Sequence, residues 1–183
     1  MEKVELRERD FFAEGKCRNI YLYPGRPDFC IKIDKTNHDE QNQIELDCYR
    51  HIARSKDALL DLIPQVYGFV STNLGEGLVC ELILHEDRPA PSISQAIERG
   101  ILSKTDAAIL VRDMMMKFIR YNFSVWDHNL ENILFSHGRL YIVDGLISRQ
   151  LGIKYFLRKH LPWLAVSKSR FVSKKLQEMI ERL

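Results

Sequence analysis

Short apolar runs of strand type fill the first third of the chain, and helical repeats dominate after residue 90. Residues 5 to 34 read as strands. Ile20 to Tyr23 is aromatic and β-branched, Pro24 to Asp28 is a turn cluster, and Phe29 to Ile33 is the next strand. In that strand Phe29, Ile31 and Ile33 share one face, and Cys30 and Lys32 share the other. From Asp39 to Arg54 the period becomes helical, with Ile44, Cys48, His51 and Ile52 on one side and Asn37 or Asp39 as the cap. Two further strands, Pro64 to Val70 and Gly77 to Leu84, flank a turn at Ser71 to Gly75. The pattern so far predicts an antiparallel lobe of roughly five strands and one helix.

A polar connection, His85 to Pro89, then leads to a short helix at Ser92 to Arg99, stopped by Gly100. A longer helix follows from Thr105 to about Tyr121, opened by Ser103 or Thr105. Its predicted apolar stripe includes Ile109, Leu110, Met114 and Phe118, and the Met114-Met115-Met116 run reads as core filler. Strands early and helices late make the class α+β.

The chemistry concentrates in Val125 to Leu146. Asp127 is followed five positions on by Asn132, then by two apolar runs around a Ser136-His137-Gly138 turn, then by Asp144-Gly145. Two such runs joined by a glycine-containing turn make a hairpin, which brings Asn132 and Asp144 together at its open end. Acid and amide oxygens converging there suit a hard cation and a hydroxyl nucleophile. Upstream, Lys32 is an unusual residue for the middle of an apolar strand. On the helix after it, Glu45 sits among core-type neighbours, whereas Glu40 falls in the first turn, where its charge already suits the helix dipole.

Composition adds limits rather than direction. The chain has 183 residues, 45% hydrophobic and 28% charged, which suits one compact domain or two small lobes. Four dispersed cysteines form no zinc-type spacing and point to a reducing cytoplasm. The charged start MEKVELRERD does not read as a leader, and no run has the length of a membrane span. The stretch from Lys154 onward is basic, with eight Lys or Arg against Glu178 and Glu181. It reads as packing helices with a basic outer face, or as a surface for anionic lipid, polyphosphate or nucleic acid, and a lipid contact would make the chain peripheral to the inner membrane. No specific nucleic-acid motif is present.

Asp-x4-Asn followed by Asp-Gly after a hairpin resembles the catalytic and metal-binding loops of protein kinases, and F-C-I-K resembles their lysine strand. Together GKCRNIYLYPGRPDFCIKID, QIELDCYRHI, GLVCELI, WDHNLENILF and YIVDGL resemble the PhoP-regulatory-network YrbL family of small bacterial kinase-like proteins, over residues 10 to 147. The resemblance implies a two-lobed protein-kinase-like fold. The antiparallel sheet and one helix form an N-lobe of about 1–84, followed by a hinge of about 85–91 and a reduced, mostly helical C-lobe of about 92–183.

It also implies ATP and Mg²⁺ as cofactors. Asp127 is the catalytic base, Asn132 and Asp144 are the metal ligands, and Lys32 held by Glu45 meets the phosphates. Gly15, Lys16 and Arg18 stand where a glycine-rich loop would, as phosphate contacts or as solvated loop charges. The backbone at Glu81 and Ile83 would meet the adenine edge.

The chain departs from kinases in four ways: one glycine in the loop, Trp126 before the acid, Asp144-Gly145 without the middle aromatic, and no A-P-E signal after Gly145. These departures favour a small-molecule, sugar or lipid hydroxyl over a protein acceptor. They also leave open a silent nucleotide-binding regulator. A third class, a basic adaptor working through residues 154–183, would lose its function with that tail.

Overall fold

The computed structural model describes residues 3–35, 41–55, 57–123, 125, 129–144 and 162–183. They fall into two compact units. The first comprises Met1–Leu60 with Pro64–Leu84, and the second Asp61–Ile63 with His85–Leu183.

The first unit is a five-stranded antiparallel sheet with one helix. Its strands are β1 (Phe11–Glu14), β2 (Arg18–Tyr23), β3 (Arg26–Asp34), β4 (Val66–Thr72) and β5 (Gly75–Glu81), in the order β1-β2-β3-β5-β4, and α1 (Gln41–Ser55) follows β3. The alternation in β3 sends its side chains to two separate cores. Ile31 and Ile33 pack with Leu6 and Val79 on one face, and Cys30 joins Leu46, Leu78 and Cys80 on the other. Burial on both faces is why β3 and β5 read as nearly continuous apolar runs.

Gly77 of β5 makes this packing possible. A Cβ there would lie 2.4 Å from Ile31 Cγ2 and 2.7 Å from Ile33 Cδ1, so both isoleucines occupy space that only glycine leaves.

Several boundaries differ from the sequence pattern. Only Pro24 and Gly25 form the β2–β3 turn. Arg26, Pro27 and Asp28 are already strand, because the Arg26 guanidinium lies over the rings of Tyr23 and Phe29 and Leu82 N–H donates to the Asp28 carbonyl at 2.9 Å. The β4–β5 turn narrows to Asn73-Leu74.

The chain start was not expected to run beside β4. Val4 bridges Thr72 in parallel, and the Asn73 side chain accepts from Leu6 N–H at 2.8 Å and donates to Leu6 O at 3.0 Å. Leu6 thereby seals the core over Ile31 and Ile33. On α1 the inner face carries Asn42, Leu46 and Ile52, while His51 is exposed.

The segment expected as a plain hinge contains a two-strand ribbon, β6 (Leu84–His85) and β7 (Arg88–Pro89), turned through Glu86 and Asp87 in left-handed backbone. The other described residues of the second unit are helical around one hairpin. Ser92 caps α2 (Ile93–Glu98), which ends before Gly100, and Ser103 caps α3 (Lys104–Arg120). The α3 core face is Ala107, Val111, Met114, Met115 and Phe118. Ile109 and Met116 are exposed, so the stripe is rotated from the expected one and only two of the three methionines fill the core.

The hairpin is β8 (Ile133–Ser136) and β9 (Arg139–Ile142). Its two-residue turn puts both His137 and Gly138 at positive φ, the mirror-type turn that matches strand twist. The last helix, α4 (Pro162–Arg182), packs along α3 through Val172, Leu176 and Ile180. No described helix is long and apolar enough to cross a membrane.

Candidate functional site

The site residues expected from sequence fall in both units, and each group has its own geometry. In the first unit β3 delivers Lys32 to the helix-facing side, where its side chain is almost wholly buried. Its ammonium donates to Glu45 Oε1 of α1 at 2.6 Å. Arg18, at the start of β2, donates to the other carboxylate oxygen, Glu45 Oε2. One carboxylate thus bridges two cations.

Burial opposes charge on Lys32, but the Glu45 carboxylate outweighs it and holds the lysine pKa above its ordinary value. Burial likewise acts against the charged Glu45, and Lys32 with Arg18 more than compensates, leaving the carboxyl below its usual range. The pair is therefore ionised throughout the neutral range.

Asn42 completes the cluster, and sequence reasoning missed it. Its side-chain amide donates to the Lys32 carbonyl at 2.8 Å, its own N–H donates to Asp34 Oδ2 at 3.0 Å, and its Oδ1 accepts from Arg18 at 3.4 Å. It lies one helical turn before Glu45 on the same face, which is the signal that would have found it. Cys80 and Cys48 also border Glu45. Burial pushes the Cys80 thiol up to about 12, and burial with the Glu45 charge does the same for Cys48.

The expected phosphate loop is a three-residue connection, Gly15-Lys16-Cys17, closed by Gly15 N–H donating to Arg18 O at 2.8 Å. Lys16 is exposed there, whereas Arg18 belongs to β2 and is engaged with Glu45. Glu81 is tied to Gln65 twice: its N–H donates to Gln65 O at 2.8 Å, and its carboxylate accepts from Gln65 N–H at 3.0 Å. The Glu81 carbonyl accepts from the Cys30 thiol at 3.9 Å. Ile83 is buried.

In the second unit the hairpin register pairs Ile133 with Ile142, and Val143 N–H donates to Asn132 O at 3.0 Å. Asn132 is half-buried beside Val143, and Asp144 is the next residue, exposed. The open end of the hairpin thus gathers one amide and one carboxylate. Asp127 lies outside the described residues. The backbone on either side of residue 124 is held by Ser169 of α4, whose Oγ donates to Phe123 O at 2.8 Å and accepts from Val125 N–H at 3.4 Å.

The whole-chain comparison decides the family. Residues 4–183 match the model of the family described as PhoP regulatory network protein YrbL. The chain belongs to the YrbL family. The match extends past the stretch that carried the resemblance, to include the N-terminal segment that pairs with β4 and the whole of α4. A search of individually curated proteins finds no match. Within this YrbL-family chain, Lys32, Glu45 and Arg18 form one connected cluster, and Asn132 adjoins Asp144.

Proposed function

We propose that this YrbL-family protein is a cytoplasmic, kinase-like phosphotransferase that uses Mg-ATP and acts on a small-molecule, sugar or lipid hydroxyl. On this reading the first unit corresponds to the N-lobe of a kinase and the second to a reduced C-lobe. The observation that carries the proposal is Lys32, buried in mid-strand and held at 2.6 Å by a carboxylate of the following helix. Burying a charged pair costs several kcal/mol of desolvation per ion, so this one is poor evidence of a stability device. It suits a preorganised cation for phosphate oxygens.

Lys32, oriented by Glu45, would neutralise the inner phosphates, and Asp127 would orient the acceptor hydroxyl and accept its proton. Asn132 and Asp144 offer hard oxygen donors. Among the described residues no cluster of three His, Cys, Asp or Glu exists. Two protein oxygens fit Mg²⁺, which keeps several waters and is bound through one or two side chains plus phosphate oxygens. Bound Mg²⁺ supplies charge neutralisation at the transferring phosphoryl.

Thermal-shift titration with ATP, with and without Mg²⁺, tests the reading. The parent should be stabilised by Mg-ATP, Lys32→Ala should lose the shift, and Asp144→Ala should lose its Mg²⁺ dependence. Asp127→Asn should keep binding while turnover falls by about 10²–10⁴-fold. Unchanged Mg-ATP binding in both Lys32→Ala and Asp144→Ala would overturn it.

A second reading, a nucleotide-binding regulator without turnover, is favoured by the short Gly15–Cys17 connection and by the engagement of Arg18 with Glu45. It predicts the same shifts and no turnover in the parent.

A further inference from the structure

The last helix buries one side in the second unit. Val172, Leu176 and Ile180, spaced four apart, are buried in the second unit together with Ser169. Arg170, Phe171 and Lys174 are exposed, and Phe171 keeps 50% of its surface in water. Between Val166 and Gln177 the helix carries four cations, Lys168, Arg170, Lys174 and Lys175, and no acid. The acids begin at Glu178, which already holds Lys175 at 2.8 Å. The Lys168 ammonium lies over the Phe171 ring, 5.2 Å from its centroid. An apolar ring therefore stands among cations at i−3, i−1, i+3 and i+4.

We propose that this face of α4 docks onto an anionic phospholipid surface, with Phe171 entering the headgroup boundary and Lys168, Arg170 and Lys174 meeting lipid phosphates. Charge complementarity selects the occupant, and Phe171 selects a bilayer over a soluble polyanion. A phenyl ring has no polar handle, so it gains from a medium that is apolar beneath and anionic above. Lysine and arginine stems lie along the apolar layer while their heads stay at the phosphates.

A helix of 21 residues extends about 31 Å and can lie flat in that plane, its buried stripe still turned to the protein. A nucleic acid would use the same cations, but single-strand binding relies on successive aromatic platforms, and the exposed face from Val166 to Gln177 offers one ring. Attachment through three charges and one ring is reversible and salt-sensitive.

The test is flotation of the full chain with phosphatidylcholine vesicles and with phosphatidylcholine–phosphatidylglycerol vesicles, across a salt series. The protein should float with the anionic vesicles only, and less as salt rises. Arg170→Glu with Lys174→Glu should weaken binding more than a hundredfold, taking about fivefold for each unit of charge changed. Phe171→Ser should weaken it by about threefold to tenfold. All three side chains are exposed, so unchanged circular dichroism would exclude unfolding as the cause.

The proposal is overturned if the parent floats with neither vesicle or equally with both. It is also overturned if Phe171→Ser binds like the parent, and inorganic polyphosphate or RNA displacing the protein in that case would assign the face to a soluble polyanion.

Discussion

At Glu45 a single carboxylate serves two cations, and removing it strands both. Glu45→Gln should destabilise the chain by about 3–5 kcal/mol, the cost of leaving buried charge unpaired. Lys32→Met should cost less, because Arg18 still holds the carboxylate; paired urea titrations would give the order.

The pH dependence follows from the two shifts. The depressed Glu45 pKa contributes stability above its unfolded value, near 4.3, and loses it as pH falls through the folded one. The raised Lys32 pKa contributes below its unfolded value, near 10.4, and loses it as pH rises through the folded one. The gap between parent and Glu45→Gln should therefore be fullest near neutral pH and shrink toward both acid and alkali.

The thiols behave oppositely: with pKa values pushed up to about 12, Cys80 and Cys48 should resist a disulfide reagent at pH 8 until the chain unfolds. Lys32 stood out in the sequence as a lysine inside an apolar strand, and its pairing with Glu45 came from the kinase resemblance. The tie of Arg18 to Glu45 was not legible, since it depends on the pairing of β2 with β3 that no local pattern encodes, whereas Asn42 was missed despite its place one helical turn before Glu45.

Among the elements, β5 and the N-terminal segment bear most directly on sheet integrity. Gly77→Ala should cost about 1–3 kcal/mol, because Ile31 Cγ2 is branched at Cβ and cannot swing clear. Asn73→Ala removes both hydrogen bonds that bracket Leu6 and should cost about 1–3 kcal/mol, visible as a lower denaturation midpoint. The strands, the two helices after residue 91 and the β8–β9 hairpin could be read from sequence, because each is specified within a few residues, with Ser103 left as one of two cap candidates. The pairing of Val4 with Thr72 and the β6–β7 ribbon could not. The first joins residues 68 positions apart, and the second depends on Glu86 and Asp87 in left-handed backbone, a state their types favour only weakly.

For the molecule as a whole, the match over residues 4–183 places the chain in the YrbL family, and the described structure is an α+β chain in two compact units. Of the candidate site, the resemblance paired Lys32 with Glu45, which are joined in the structure, and the hairpin pattern put Asn132 near Asp144, where Val143 bonds Asn132. The assignment of Arg18 and Glu81 to a bound nucleotide meets competition, since Glu45 and Gln65 already occupy their donors. At this scale the decisive measurement is the Mg²⁺ dependence of ATP stabilisation in Asp144→Ala, because Asp144 is exposed and its loss should leave the fold standing.

Ser169 has a practical consequence for any experiment that shortens the chain. The helix bearing the basic face also inserts Val172, Leu176 and Ile180 into the second unit and pins Phe123 and Val125 on both sides of residue 124. Cutting the protein before Pro162 would discard the proposed lipid-facing surface, the buried residues Val172, Leu176 and Ile180, and the hydrogen bonds to Phe123 and Val125 in one stroke. An inactive truncate would thus look the same whether the tail is an adaptor, an anchor or mere scaffolding. Surface point changes that spare Ser169 are the route that keeps those roles apart.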